Sequence, residues 1–118
     1  MIDYGFDEVN IDKYGSFLVI IHGSRPGKTV LMDGHIDTVD VIDRDQWSHD
    51  PFAAEIDDGR IYGRGTSDMK GSVCAMITAA AQYAEDTGKD FAGNICVSCT
   101  VHEECFEGVS SRETRRQD

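Results

Sequence analysis

Residues 71–101, GSVCAMITAAAQYAEDTGKDFAGNICVSCTV, decide the fold. Val73, Met76, Ile77, Ala80 and Ala84 recur at three- and four-residue spacing, the period of a helix with one apolar face. Gly88 stands where a C-terminal cap belongs, and Ala79-Ala80-Ala81 is slim enough for the helix to lie close on a sheet. Asn94 to Val101 then reads as a mostly apolar strand that delivers His102, Glu103 and Glu104 at its end. Upstream, Phe17, Val19 and Ile21 alternate with Leu18, Ile20 and His22, so both faces are apolar, as in an interior strand. Arg25-Pro26-Gly27-Lys28 is expected to turn, and Thr29 to Met32 to form a further strand that stops at Asp33-Gly34. Ala54 to Ile56 and Arg60 to Tyr62 flank Asp57-Asp58-Gly59, a strong hairpin signal. Strand, crossover helix and strand imply an α/β chain with a mixed, partly parallel sheet. Ligands of such sheets collect at the carboxyl ends of strands. The strand at 94–101 is expected to want neighbours, and an unpaired apolar edge there would favour a homo-oligomer.

A chain of 118 residues is one domain at most, burying under about 70% of its unfolded surface. At 40% hydrophobic and 28% charged it has an ordinary globular composition. The net charge of -11, from 22 acidic against 11 basic residues, argues against nucleic acid and against an anionic membrane surface as partners. It favours cations, although most of these charges simply keep a surface solvated. The start, Met1-Ile2-Asp3-Tyr4-Gly5, shows no signal peptide, and no apolar run is long enough to span a bilayer. Four cysteines without secretory features suggest reduced thiols in the cytoplasm.

Three clusters carry candidate chemistry. In His35-x-Asp37 an extended chain would point both side chains the same way, letting Asp37 orient the imidazole while its other nitrogen binds a metal. A solvated surface pair fits the same local pattern. Asp68, between a glycine-rich turn and a helix start, suits either an N-terminal cap or a carboxylate bridging cations. Glu103 and Glu104, as strand neighbours, would point to opposite sides, one to a metal and one to the attacking water, or else form a solvated charge pair.

Three other motifs fail. Gly23 to Thr29 is one residue short of a phosphate-binding loop and leads into a strand instead of a helix. Gly63-x-Gly65 lacks its third glycine, Asp68 standing there. Cys96 and Cys99 on a strand face opposite ways, so Cys96, Cys99, His102 and Cys105 do not make a structural zinc site; buried cysteines filling a core fit better.

Taken together, Met32 to Val39, Trp47 with Asp50-Pro51-Phe52, Tyr62 to Gly71 and His102-Glu103-Glu104 resemble the M20 metallopeptidase and deacylase family in order and spacing. That family includes acetylornithine deacetylases, succinyl-diaminopimelate desuccinylases and related carboxypeptidases. The branch looks like the acetylornithine-deacetylase-like hydrolases linked to selenium metabolism. The resemblance implies part of a zinc-exopeptidase catalytic domain over residues 1–118. It implies His35 as ligand of one zinc, Asp68 as the bridging carboxylate and Glu104 as ligand of a second zinc. Cobalt or manganese are alternatives to zinc. Glu103 becomes the general base and Asp37 the group that orients His35, and the bond after Asp68 is expected to be cis. The implied reaction is hydrolysis of an amide in an N-acyl amino acid or small peptide. Relatives carry a lid or dimerisation domain and further ligands beyond the Glu-Glu pair, so the chain looks truncated at both ends. The alternative is a non-catalytic remnant that binds metal weakly and self-associates.

Overall fold

The computed structural model describes residues 1–105. Six strands and one α-helix follow in the order β1 Glu8–Ile11, β2 Phe17–His22, β3 Arg25–His35, β4 Glu55–Asp57, β5 Arg60–Tyr62, α1 Gly71–Thr87 and β6 Ala92–Thr100. The main sheet runs β1-β2-β6-β3, and β4 and β5 form a separate hairpin. β1 and β2, and β2 and β6, are antiparallel, whereas β3 and β6 are parallel, joined through α1 as a crossover. The mixed, partly parallel sheet is thus the one expected.

Alternation sets the two faces of the sheet. Val9, Val19, Val97 and Met32 lie opposite one another across four strands, on the face that α1 covers with Val73, Ala80 and Ala84. Val19, Ile21 and Val97 are wholly buried, and each such side chain is worth about 1.5–3 kcal/mol relative to exposure. A slip of one residue would swap them for Leu18, Ile20 and Ser98, so these three residues fix the register. α1 ends as expected, with Gly88 at φ 57 and ψ 30 in the left-handed cap.

Four expectations need correction. β6 is central, paired on both sides, so the free edges belong to β1 and β3, and the argument for self-association from an open strand at 94–101 falls. Residues 25–28 do not turn; they open β3, which shifts register between Arg25 and Thr29. Gly27 serves close packing there, since a Cβ would sit 2.6 Å from the Gly93 nitrogen. β3 also continues through Asp33 and Gly34 to His35. Finally, β6 stops at Thr100 and residues 101–105 turn, with His102 at φ 64, so Glu103 and Glu104 are not strand neighbours with opposed side chains. β1 was not legible as a strand: it is four residues long and mostly exposed. Residues 112–118, whose sequence reads as the start of a helix or a frayed tail, lie outside the described residues.

Candidate metal centre

Because β3 and β6 are parallel, their carboxyl ends finish side by side, His35 opposite Thr100. The Ile36 N–H donates to the Thr100 carbonyl at 2.8 Å, carrying the pairing one residue further. The buried Ser16 hydroxyl accepts the Val101 N–H at 2.9 Å and anchors the turn that follows β6. Both chain segments leave the sheet here, one toward Asp37 and one toward Glu103-Glu104.

Asp68 arrives from a third direction. Gly65, at φ 81, turns the chain after β5 where a side chain would be strained. The wound segment Thr66–Lys70 then leads into α1, with Asp68 itself extended at φ -130 and ψ 100. The Asp68–Met69 peptide bond is cis. No side chain caps α1, so capping is not what Asp68 does. Its Oδ1 lies 2.9 Å from Nε2 of His35. Ligand atoms of His35, Asp68 and Glu104 all fall within 4.8 Å of one another. Glu103 Oε2 stands 3.9 Å from the same imidazole nitrogen.

Asp37 holds this cluster together in two ways. Its backbone carbonyl accepts from Nδ1 of His35 at 3.1 Å, which fixes the ring and leaves Nε2 facing Asp68. Its carboxylate Oδ2 accepts the Glu104 N–H at 3.1 Å, tying the turn after β6 to the end of β3. Its other oxygen, Oδ1, is buried with no hydrogen bond among the described residues and lies 3.5 Å from Nδ1. Burial raises the Asp37 carboxyl, but backbone N–H bonds from Glu104, Glu103 and Asp37 and the His35 charge outweigh it, so it is held below the ordinary 3.8. Burial likewise works against charge on His35, yet the Asp68 bond, the Asp37 bond and the nearby carboxylates raise it above 6.5.

All five expected residues therefore meet at one place: His35 buried, Asp37 and Glu104 half-buried, Asp68 and Glu103 reachable from solvent. One imidazole nitrogen and two carboxylates suit zinc, and also harder divalent cations such as manganese. The orphaned Asp37 oxygen beside Nδ1 is what a ligand histidine needs behind it. Sequence reasoning missed the Ser16 anchor and the bond from Asp37 to the Glu104 backbone, which no local pattern announces. It also missed Arg64, whose guanidinium stacks over Trp47 at 5.1 Å and donates to the Asp40 carbonyl at 3.4 Å. A cavity of about 570 Å³ opens beside Asp68 and Glu104.

The family model for Peptidase family M20/M25/M40 matches residues 31–114. Succinyl-diaminopimelate desuccinylase 2 of Ruegeria sp. is 38% identical over 104 residues, covering 86% of this chain and 26% of that protein. The chain spans about a quarter of the length of such curated relatives. Among solved structures, the M20 family metallo-carboxypeptidase Sso-CP2 from Sulfolobus solfataricus matches with a TM-score of 0.71 at 28% identity, over 86% of this chain and 23% of that one. Human carnosine dipeptidase 1 matches with a TM-score of 0.68 at 30% identity, over 85% and 21%.

Proposed function

The chain belongs to Peptidase family M20/M25/M40, and from that premise we propose that it carries the ligand-bearing part of a zinc-dependent amide hydrolase. The substrate class is an N-acyl amino acid or small peptide. The observation that carries the proposal is the convergence of His35, Asp68 and Glu104 within 4.8 Å, with Asp37 behind the imidazole. His35 would hold one ion, Glu104 a second, and Asp68 both. A divalent cation bound there supplies Lewis acidity toward the scissile carbonyl and acidifies water near neutral pH.

The chain's own residues do the rest. Asp37 keeps the Nδ1–H of His35 engaged, so Nε2 stays the ligand nitrogen. Its bond to the Glu104 N–H holds the two carboxylates of the turn at a fixed distance from β3. Glu103, exposed and 3.9 Å from Nε2, takes a proton from the attacking water and passes it to the leaving nitrogen as the C–N bond breaks and the C–O bond forms. The reading expects a cytoplasmic setting, which the four free thiols support; no helix among the described residues is long and apolar enough to cross a membrane.

Calorimetric titration with zinc, followed by an assay on N-acetyl amino acids with and without the metal, tests the reading. Zinc binding that is lost in Asp68→Ala supports it. Binding that survives loss of Asp68, or no binding at all, rejects it.

A further inference from the structure

We propose that the loop between β1 and β2, Asp12 to Ser16, positions Glu103 and Glu104 for the cations, with Ser16 and Asp12 as its positioning residues. The proposal rests on the metal-dependent hydrolase reading above. β2 begins where β6 ends, Phe17 opposite Cys99, so this loop stands beside the turn that carries the two carboxylates. That turn has left the sheet, and among the described residues side chains hold its backbone. Ser16 Oγ accepts the Val101 N–H at 2.9 Å where the turn begins, and Asp37 Oδ2 accepts the Glu104 N–H at 3.1 Å. Between the two bonds His102 sits at φ 64, its ring edge-on to Tyr14 with centroids 6.4 Å apart. The turn is therefore pinned from both sides of β6, by Asp37 at the end of β3 and by the loop at the start of β2.

The loop's own bonds fix its shape. Asp12 Oδ1 accepts the Tyr14 N–H at 2.8 Å and the Ser16 N–H at 3.0 Å. The Asp12 backbone closes the same unit: its N–H donates to the Ser16 carbonyl at 2.9 Å, and its carbonyl accepts the Gly15 N–H at 3.2 Å. Gly15, at φ 96, takes a conformation in which a side chain would be strained. Short bonds from an Asp side chain to the backbone that follows it set a turn locally, without help from the rest of the fold. Asp12 Oδ2 is buried with no hydrogen bond among the described residues, a desolvation cost that the two bonds of Oδ1 must offset. Ser16, 4% exposed, is the one link from this unit to Val101 by hydrogen bond. Ligand carboxylates work only when held to within about 0.5 Å, so a loosened turn weakens cation binding although every ligand is present.

The test takes two readings on the full chain: amide hydrogen exchange at Val101 and Glu104 without metal, and zinc affinity by calorimetry. In Ser16→Ala both amides should exchange faster, Glu104 included although Asp37 and not Ser16 holds it. Zinc affinity should fall about tenfold, the low end for a group that supports a ligand. Asp12→Ala should show both effects more weakly. The double variant should lose no more affinity than Ser16→Ala alone, as for two residues acting through one bond. Ser16→Thr, which keeps the hydroxyl, should behave as the parent. Ala84→Gly, buried near the far end of α1, controls for lost stability and should leave zinc affinity unchanged. Full affinity in Ser16→Ala, protection retained at Glu104, a loss in Ser16→Thr or Ala84→Gly equal to that in Ser16→Ala, or additive losses from Asp12 and Ser16 would each overturn the proposal. If the parent binds zinc and the loop variants bind as tightly, only the loop assignment falls. If the parent binds no zinc, the hydrolase reading falls and takes this one with it, since the loop would then position the turn for no cation.

Discussion

Two histidines end strands at opposite ends of the same sheet, and only one of them sits in a cluster of side chains that could hold a metal ion. His22 is the last residue of β2 and His35 the last of β3. Each ring has both nitrogens engaged by oxygen. For His22 the partners are Glu8 Oε1 at 2.7 Å and Asn94 Oδ1 at 2.9 Å; for His35 they are Asp68 Oδ1 at 2.9 Å and the Asp37 carbonyl at 3.1 Å. Both are raised above the ordinary histidine value. They differ in surroundings, with side-chain exposures of 47% and 6%. β2 runs antiparallel to β6 and so ends beside the start of that strand, where its partners are the sheet's own residues. Glu8, His22, Asn94 and Thr29 form a polar row across all four strands. β3 runs parallel to β6, so both strands end together and release loops that close over His35. Topology, and not the residue or its acidic neighbours, separates the histidine proposed as a ligand from the strap.

That contrast can be broken most directly by removing each ring. His35→Ala should abolish zinc binding in calorimetry, a larger loss than the ~10–100-fold that a supporting group costs. His22→Ala should leave zinc affinity where it was. Equal losses in the two variants would mean the cation does not bind at the carboxyl end of β3. A finer cut is Asp37→Asn, which keeps the backbone carbonyl that Nδ1 uses but removes the charge behind the ring. Zinc affinity should fall about 10–100-fold. A variant that binds as tightly as the parent would assign the orienting role to the carbonyl alone.

The same contrast explains what could be read from the chain. α1 and the interior strands were legible because their apolar period is long and repeats, as in Val73, Met76, Ile77, Ala80 and Ala84. The hairpin was legible from Asp58-Gly59, both at positive φ in the structure. β1 was not, because four mostly exposed residues leave no buried stripe to detect. Among the site residues, His35-x-Asp37, Asp68 and Glu103-Glu104 each fitted a bland reading as well as a functional one. Their meeting depends on contacts 33 and 67 residues apart along the chain, such as Asp68 to His35 and Asp37 to Glu104. Pattern within a window cannot weigh such contacts. Their combined spacing carried the family resemblance, but nothing in it announced the bond from Asp37 to the Glu104 backbone. The reading of Glu103 and Glu104 failed for a related reason: strand alternation was extended past Thr100, where His102 at φ 64 has already turned the chain.

The smallest expected effect concerns the strap. Asn94 first and Glu8 second favour the charged form of His22, so its folded value lies above the 6.5 of an unfolded chain. A group raised on folding contributes stability that is fully present below its unfolded value and disappears as pH rises through the folded one. Urea midpoints should therefore decline as pH rises above about 6.5. His35 is raised too and adds to the decline in the same window, so the parent alone is ambiguous. The difference between parent and His22→Gln isolates the strap. Asp7, which bonds the His22 N–H and Lys89, and Glu8 are both lowered from their ordinary values, 3.8 and 4.5. Their own losses fall in acid, as pH drops through the lowered values, and stay clear of the histidine window. Because His22 and Glu8 are half exposed, solvent screens the pair and the difference should be small. A difference that is flat with pH would show that the row across the four strands holds equally well with a neutral ring.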